Sequence, residues 1–116
     1  MAIVLRSLLL FVATITSLSA AAAPSKEVVD GYAKMCEEAV SMPKPFGESD
    51  LKGNASLHKY CQCLAIPYAE RALKAAAEMQ NGKKPKKLLD EMNAETDLYR
   101  NTCRKKFGLP TVKAVQ

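Results

Sequence analysis

Apolar positions along this 116-residue chain fall into one continuous run followed by three stretches of helical spacing. The continuous run is Leu8, Leu9, Leu10, Phe11, Val12 and Ala13, prolonged by Ile15 and Leu18. Behind Ser25, the residues Val28, Tyr32, Met35, Cys36 and Ala39 recur at steps of three and four. That spacing predicts a helix over Lys26 to Ser41, with Ser25 as its N-cap. Met42-Pro43 ends it, because a proline drives the preceding residue out of the α region. Pro43 to Asp50 is loop by composition, and Phe46 is expected to fold back onto the core.

A second helix begins near Asn54 or Ser56, with Leu57, Cys61, Leu64 and Tyr68 on one stripe and Ala72, Ala75 and Met79 extending it. Pro67 removes a backbone donor inside this run and predicts a kink or a break into two shorter helices. The alanine-rich part from Arg71 to Met79 has high helix propensity, and Asn81-Gly82 closes it. Pro85 then opens a third helix carrying Leu88, Met92, Tyr99 and Cys103 on one side. Its acids Asp90 and Glu91 come early and its bases Arg104, Lys105 and Lys106 late, matching the helix dipole. Gly108 and Pro110 end it, leaving Thr111 to Gln116 as a flexible tail. No strand pattern and no internal repeat are visible. The expectation is an all-α domain, a bundle of three to four helices.

The continuous run has a different meaning. One positive charge, Arg6, precedes it, and small residues come after it: Ser19 and the four alanines Ala20 to Ala23. Positive, apolar, then small is the order of a cleavable export signal. Ser19-Ala20-Ala21 and Ala20-Ala21-Ala22 both offer small side chains to signal peptidase, and Pro24 disfavours a cut directly before it. Residues 1–22 are read as the signal peptide, 23–110 as the folded domain and 111–116 as the tail. An uncleaved anchor is the alternative, although an apolar run of about 16 residues is slightly short for a bilayer. No cysteine lies near the junction to take a lipid. The mature chain is expected to contain no integral membrane segment and to reside in the periplasm or outside the cell.

Removing Arg6 changes the formal balance from +5 to +4, with 16 basic against 12 acidic residues. From Arg71 onward there are eleven basic and five acidic residues, and Lys83, Lys84, Lys86 and Lys87 form a basic turn. Such a patch can contact an anionic surface or an acidic partner, or serve only as a solvated face. Nucleic acid does not fit an exported chain without aromatics interleaved among the lysines.

Export also decides how the cysteines are read. Cys36, Cys61, Cys63 and Cys103 are expected to pair as disulfides, because the chain is directed to an oxidising compartment. On a helix, residues 61 and 63 diverge by about 200°, which disfavours a bond between them. Two pairings remain, Cys36–Cys61 with Cys63–Cys103, or Cys36–Cys63 with Cys61–Cys103. Either ties the central helix to both neighbours. The competing reading of Cys61-Gln62-Cys63 is a soft-metal site completed by His58, which requires reduced thiolates. No resident cofactor is expected.

Other chemistry is sparse. His58 is the only histidine. It has no Gly-x-Ser-x-Gly partner and is read as a surface or capping residue. The pairs Glu37-Glu38 and Asp90-Glu91 are explained by solvation and dipole effects. Asn54-Ala55-Ser56 fits an N-glycosylation sequon. Tyr32, Tyr60, Tyr68 and Tyr99 all lie in predicted helices, as core residues with one or two lining a groove.

A signal peptide, Cys36 in the first helix, Tyr60-Cys61-Gln62-Cys63 and a late Cys103 together resemble small helical periplasmic proteins of bacteria. Many of those carry a Tyr-Cys-x-Cys stretch, and few have an assigned activity. More distantly, the order of one, two and one cysteines is similar to the helical odorant-binding proteins of insects, whose middle pair is spaced by three residues. Neither resemblance supplies a catalytic residue. The residues therefore imply an exported, non-enzymatic binding protein acting on another protein, in the manner of an inhibitor or immunity protein. The alternative is a carrier of a small apolar ligand, or of a soft metal through Cys61 and Cys63.

Overall fold

Three helices and two short 3-10 turns make up the fold in a computed structural model that describes residues 23–113. The expected signal peptide, residues 1–22, lies outside the described residues, as do positions 114–116 of the tail. Ser25 is extended and its Oγ accepts from the Val28 N–H at 3.3 Å, satisfying one free donor at the start of α1, Lys26–Glu38. A 3-10 turn over Ala39–Ser41 finishes that helix before Pro43. A second 3-10 turn, Ser49–Leu51, precedes α2, Leu57–Gln80, and α3 spans Pro85–Lys106.

α2 is the middle layer and packs against both α1 and α3. Its buried residues, Tyr60, Cys61, Leu64, Ala65, Ala69, Arg71 and Ala75, spread wider than a single stripe because it has two neighbours to cover. Met79, expected to extend the stripe, is 54% exposed. Of the kink or break expected at Pro67, the break into two shorter helices does not occur, since α2 runs through it as one helix. A proline inside a helix costs about 3 kcal/mol. Here buried Ala65 and Ala69 on either side of it and the bond from Cys63 to α3 hold the helix together. Gly82 (φ 88°) closes α2 with its N–H donating to the Met79 carbonyl at 3.1 Å. Its left-handed backbone is one that a side chain disfavours.

The disulfides are Cys36–Cys61, joining α1 to α2, and Cys63–Cys103, joining α2 to α3. Cys36, Cys61 and Cys103 lie within the main core with Leu51, Tyr60, Leu64 and Leu109, and Cys63 packs against it. This core is small, and the two bonds stand at its centre. In the chain-entropy model, loops of 25 and 40 residues each contribute roughly 3–4 kcal/mol.

Three local expectations are corrected. Phe46 does not fold onto the core and is 73% exposed. The stripe of α1 is rotated, with Ala33 and Cys36 buried and Met35 63% exposed, because Cys36 has to face Cys61. The tail is anchored at its start. Val112 is 5% exposed, its N–H donates to Asn101 Oδ1 at 2.8 Å, and its carbonyl accepts from Asn101 Nδ2 at 2.9 Å.

Candidate functional site

The loop between α1 and α2 sets up the site. Gly47 lies so close to Met42 that a Cβ would meet the Met42 carbonyl oxygen at 2.0 Å. Only glycine permits this turn. It brings Glu48 beneath α3 with its N–H donating to the Ala39 carbonyl at 2.9 Å.

Two arginines of α3 then grip the loop. Arg100 donates from Nε to Glu48 Oε1 (2.8 Å), from Nη1 to the Pro45 carbonyl (2.6 Å) and from Nη2 to the Gly47 carbonyl (2.8 Å). Arg104 is fully buried and donates from Nη2 to Glu48 Oε2. It also pairs with Asp50, at 2.8 Å from Nη1 and 3.0 Å from Nη2. A further bond from Nη1 reaches the Pro110 carbonyl at 2.8 Å, so one side chain holds the loop and the tail together. Its guanidinium stacks over the Tyr60 ring at 5.4 Å, and the Tyr60 hydroxyl donates to Glu48 Oε1 at 2.9 Å.

The electrostatics stem from this packing. The Arg104 guanidinium holds the Asp50 carboxyl at about 2, overcoming the opposing effect of burial, with Lys44 at 3.2 Å assisting. Burial pushes the Tyr60 phenol up to about 12, which keeps it a hydrogen-bond donor. Burial works against the Arg104 cation, but bonds to Asp50, Tyr60 and Glu48 outweigh it and raise its pKa. These charges neutralise one another and fix the loop. The pairing ties the loop, α3 and the tail together, and among the described residues Arg104 Nε is the one buried side-chain nitrogen or oxygen left without a partner.

Beside this scaffold α1 and α3 diverge and leave a groove of about 810 Å³, floored by Leu64 and Tyr68 of α2. Tyr32, Met35 and Ala39 form its α1 wall, while Asp90, Asn93, Ala94 and Asp97 form its α3 wall. Met42, Pro45 and Phe46 close one end. Tyr68 meets Tyr32 edge-on at 6.3 Å and is held on its other side by Tyr99, also at 6.3 Å. Three rim residues are open to water, Met35 at 63%, Met42 at 50% and Phe46 at 73% exposure. The exposed Phe46 is thereby explained as part of the groove mouth.

The residues proposed from sequence are distributed differently. Cys61 and Cys63 are committed to separate disulfides, so neither is a thiolate and the soft-metal alternative loses its ligands. His58 is 71% exposed and pairs through Nδ1 with Glu37 at 2.7 Å, bridging α2 to α1. Among the described residues no group of three or more His, Cys, Asp or Glu side chains is placed to hold a metal.

The basic turn is partly neutralised. Lys83 turns inward to Glu78 and Glu91, and Lys86 pairs with Asp90 at 2.9 Å, leaving Lys84 and Lys87 without an ion pair among the described residues. Arg71, 6% exposed, joins the same network through Glu95 and Glu78 and ties α2 to α3.

The sequence presents Arg104 only as one of the late bases that complement the α3 dipole and Glu48 only as part of a loop, with no sign that either is buried. The available signal was that Arg100 and Arg104 flank Cys103 on the inner side of α3, where lysines would be the usual surface choice. Comparison with protein-family models, characterised proteins and solved structures finds no match for this chain. Its class is therefore an architectural one, an all-α domain clamped by two disulfides. Such bonds form and persist in oxidising, extracytoplasmic environments. No helix among the described residues is long and apolar enough to cross a membrane.

Proposed function

We propose that this chain is an exported, non-enzymatic binding protein that takes the apolar face of a helical segment of another protein into the groove between α1 and α3, in the manner of an inhibitor or immunity protein. The observation carrying this reading is the exposed trio Met35, Met42 and Phe46 at the mouth of a groove whose floor is already aromatic. Water-exposed side chains of this kind at a concave site gain most when a partner covers them. Methionine suits the role because its flexible thioether adapts to the surface it meets. The disulfides and the Glu48–Arg100–Arg104 cluster support the reading by holding the walls fixed beforehand, which lowers the entropy lost on binding. The basic turn, through Lys84 and Lys87, offers a secondary contact to an anionic surface.

Photo-crosslinking tests this. A benzoylphenylalanine at Phe46 should yield a discrete protein adduct in the extracytoplasmic fraction, and its cross-linked peptide should be a helical segment with one apolar face. The same probe at Lys105, which does not line the groove, should give none. Adducts of equal yield from both positions, or from neither, would remove the proposal. A second reading, carriage of a small apolar ligand in the periplasm or outside the cell, is favoured by the groove volume, which falls within the usual range of about 300–1,000 Å³ for small-molecule sites. Native mass spectrometry of the purified protein would reveal such a ligand as a retained mass.

A further inference from the structure

The groove is not electrically neutral. Within its lining Glu48 is neutralised by Arg100 and Arg104, which leaves Asp90 and Asp97 as the acids of the groove, while the chain as a whole is basic. Asp97 is only 18% exposed, and its nearest cation is Arg100 Nη1 at 4.0 Å, outside hydrogen-bond range. Three of the five N–H donors of Arg100 go to Glu48, Pro45 and Gly47, and neither of the other two reaches Asp97 within hydrogen-bond distance. Among the described residues Asp97 therefore accepts no hydrogen bond, although it faces the groove. Among the described residues the only ion-pair partner of Asp90 is Lys86, and both side chains are mostly in water, at 63% and 89% exposure. A pair of that kind yields readily to a competitor.

Resting on the binding role proposed above, we infer that the segment seated in the groove is an amphipathic helix with two basic residues seven positions apart, which meet Asp90 and Asp97. The two carboxylates are seven residues apart on one face of α3, about 10.5 Å along the axis. A helix lying alongside repeats its own face at the same interval. The opposite wall of Tyr32 and Met35, with Phe46 at the end, then receives apolar anchors at intermediate positions, as in other helix-in-groove recognition. Lysine or arginine at the two outer positions supplies the donor that Asp97 lacks and displaces Lys86 from Asp90. Acidic residues there meet like charge in a partly desolvated site and are rejected.

Two designed helical peptides test the assignment by fluorescence anisotropy on the full disulfide-bonded domain. Both carry Leu and Met anchors; one has Lys at the two outer positions and the other Glu. At low salt the Lys peptide should bind at least roughly fivefold tighter than the Glu peptide. Asp90→Asn/Asp97→Asn should bring the ratio close to one, and Asp90→Asn alone, at an exposed site, should reduce it without any burden on folding. Equal affinities, a preference for Glu, or binding of neither peptide overturns the inference. Equal binding that disappears in Met35→Ser/Phe46→Ser would overturn only the charge assignment and leave the groove as a protein-binding site. Uptake of an uncharged apolar dye with no peptide binding would overturn it in favour of a small-ligand carrier.

Discussion

Replacing Arg104 by methionine probes the cluster that fixes the groove. The substitution keeps most of the side-chain volume and removes the charge. Glu48 Oε2 loses its described partner while remaining buried, and the Pro110 carbonyl loses its donor. An unsatisfied buried acceptor costs about 1–3 kcal/mol, and more when it is charged. The paired contact to Asp50, which is 21% exposed, adds a smaller amount. Together these come to about 3 kcal/mol, at the low end of what breaking a buried ion pair costs. For a domain of this size the melting temperature should fall by roughly 12–24 °C. Urea unfolding followed by circular dichroism under oxidising conditions gives the value directly. A loss in Arg104→Met below about 1 kcal/mol, the level of an exposed pair, would refute the claim that this cluster holds the loop.

The disulfide pairing gives a second test. No trypsin site separates Cys61 from Cys63, so the intact protein yields one assembly of three linked peptides. Cys61→Ser should release the Cys36 peptide and keep that of Cys103, and each single substitution should cost about 2–5 kcal/mol; release of the Cys103 peptide instead would reverse the pairing. A third concerns acid. The Asp50 pKa is lowered from 3.8 to about 2; at this partly exposed residue solvent screening reduces its contribution to about 1 kcal/mol, which is present above pH 4 and is lost as the pH falls through 2. Asp50→Asn should therefore be less stable than the parent at pH 5 and should show a flatter decline below pH 4; parallel curves would count against the ion pair. A fourth separates binding from folding. Met35→Ser and Phe46→Ser, at exposed positions, should change stability by less than about 0.5 kcal/mol and abolish the photo-crosslinked adduct of an adjacent groove probe. At the tail, Asn101→Ala should accelerate amide exchange at Val112, and unchanged protection would mean that the two hydrogen bonds do not hold it.

The all-α character, the caps and most helix ends were legible in the chain because they depend on neighbours in sequence. Ser25 satisfies donors within the next turn, Pro85 opens α3, and Gly82 takes a backbone that other residues resist. The divergence of Cys61 and Cys63 across α2 likewise comes from helical geometry alone, and it is what sends one bond to each neighbouring helix. Which of the two possible pairings forms depends on how α1 and α3 are rotated against α2, and no local preference sets that rotation. Only tertiary structure decided that Arg104 is buried, that Met35 and Phe46 face water, and that Pro67 leaves α2 intact. A charged side chain turns inward only when partners from distant segments, here Glu48, Asp50 and Pro110, converge on it. The groove has the same origin, since its walls come from helices that meet only through the one between them.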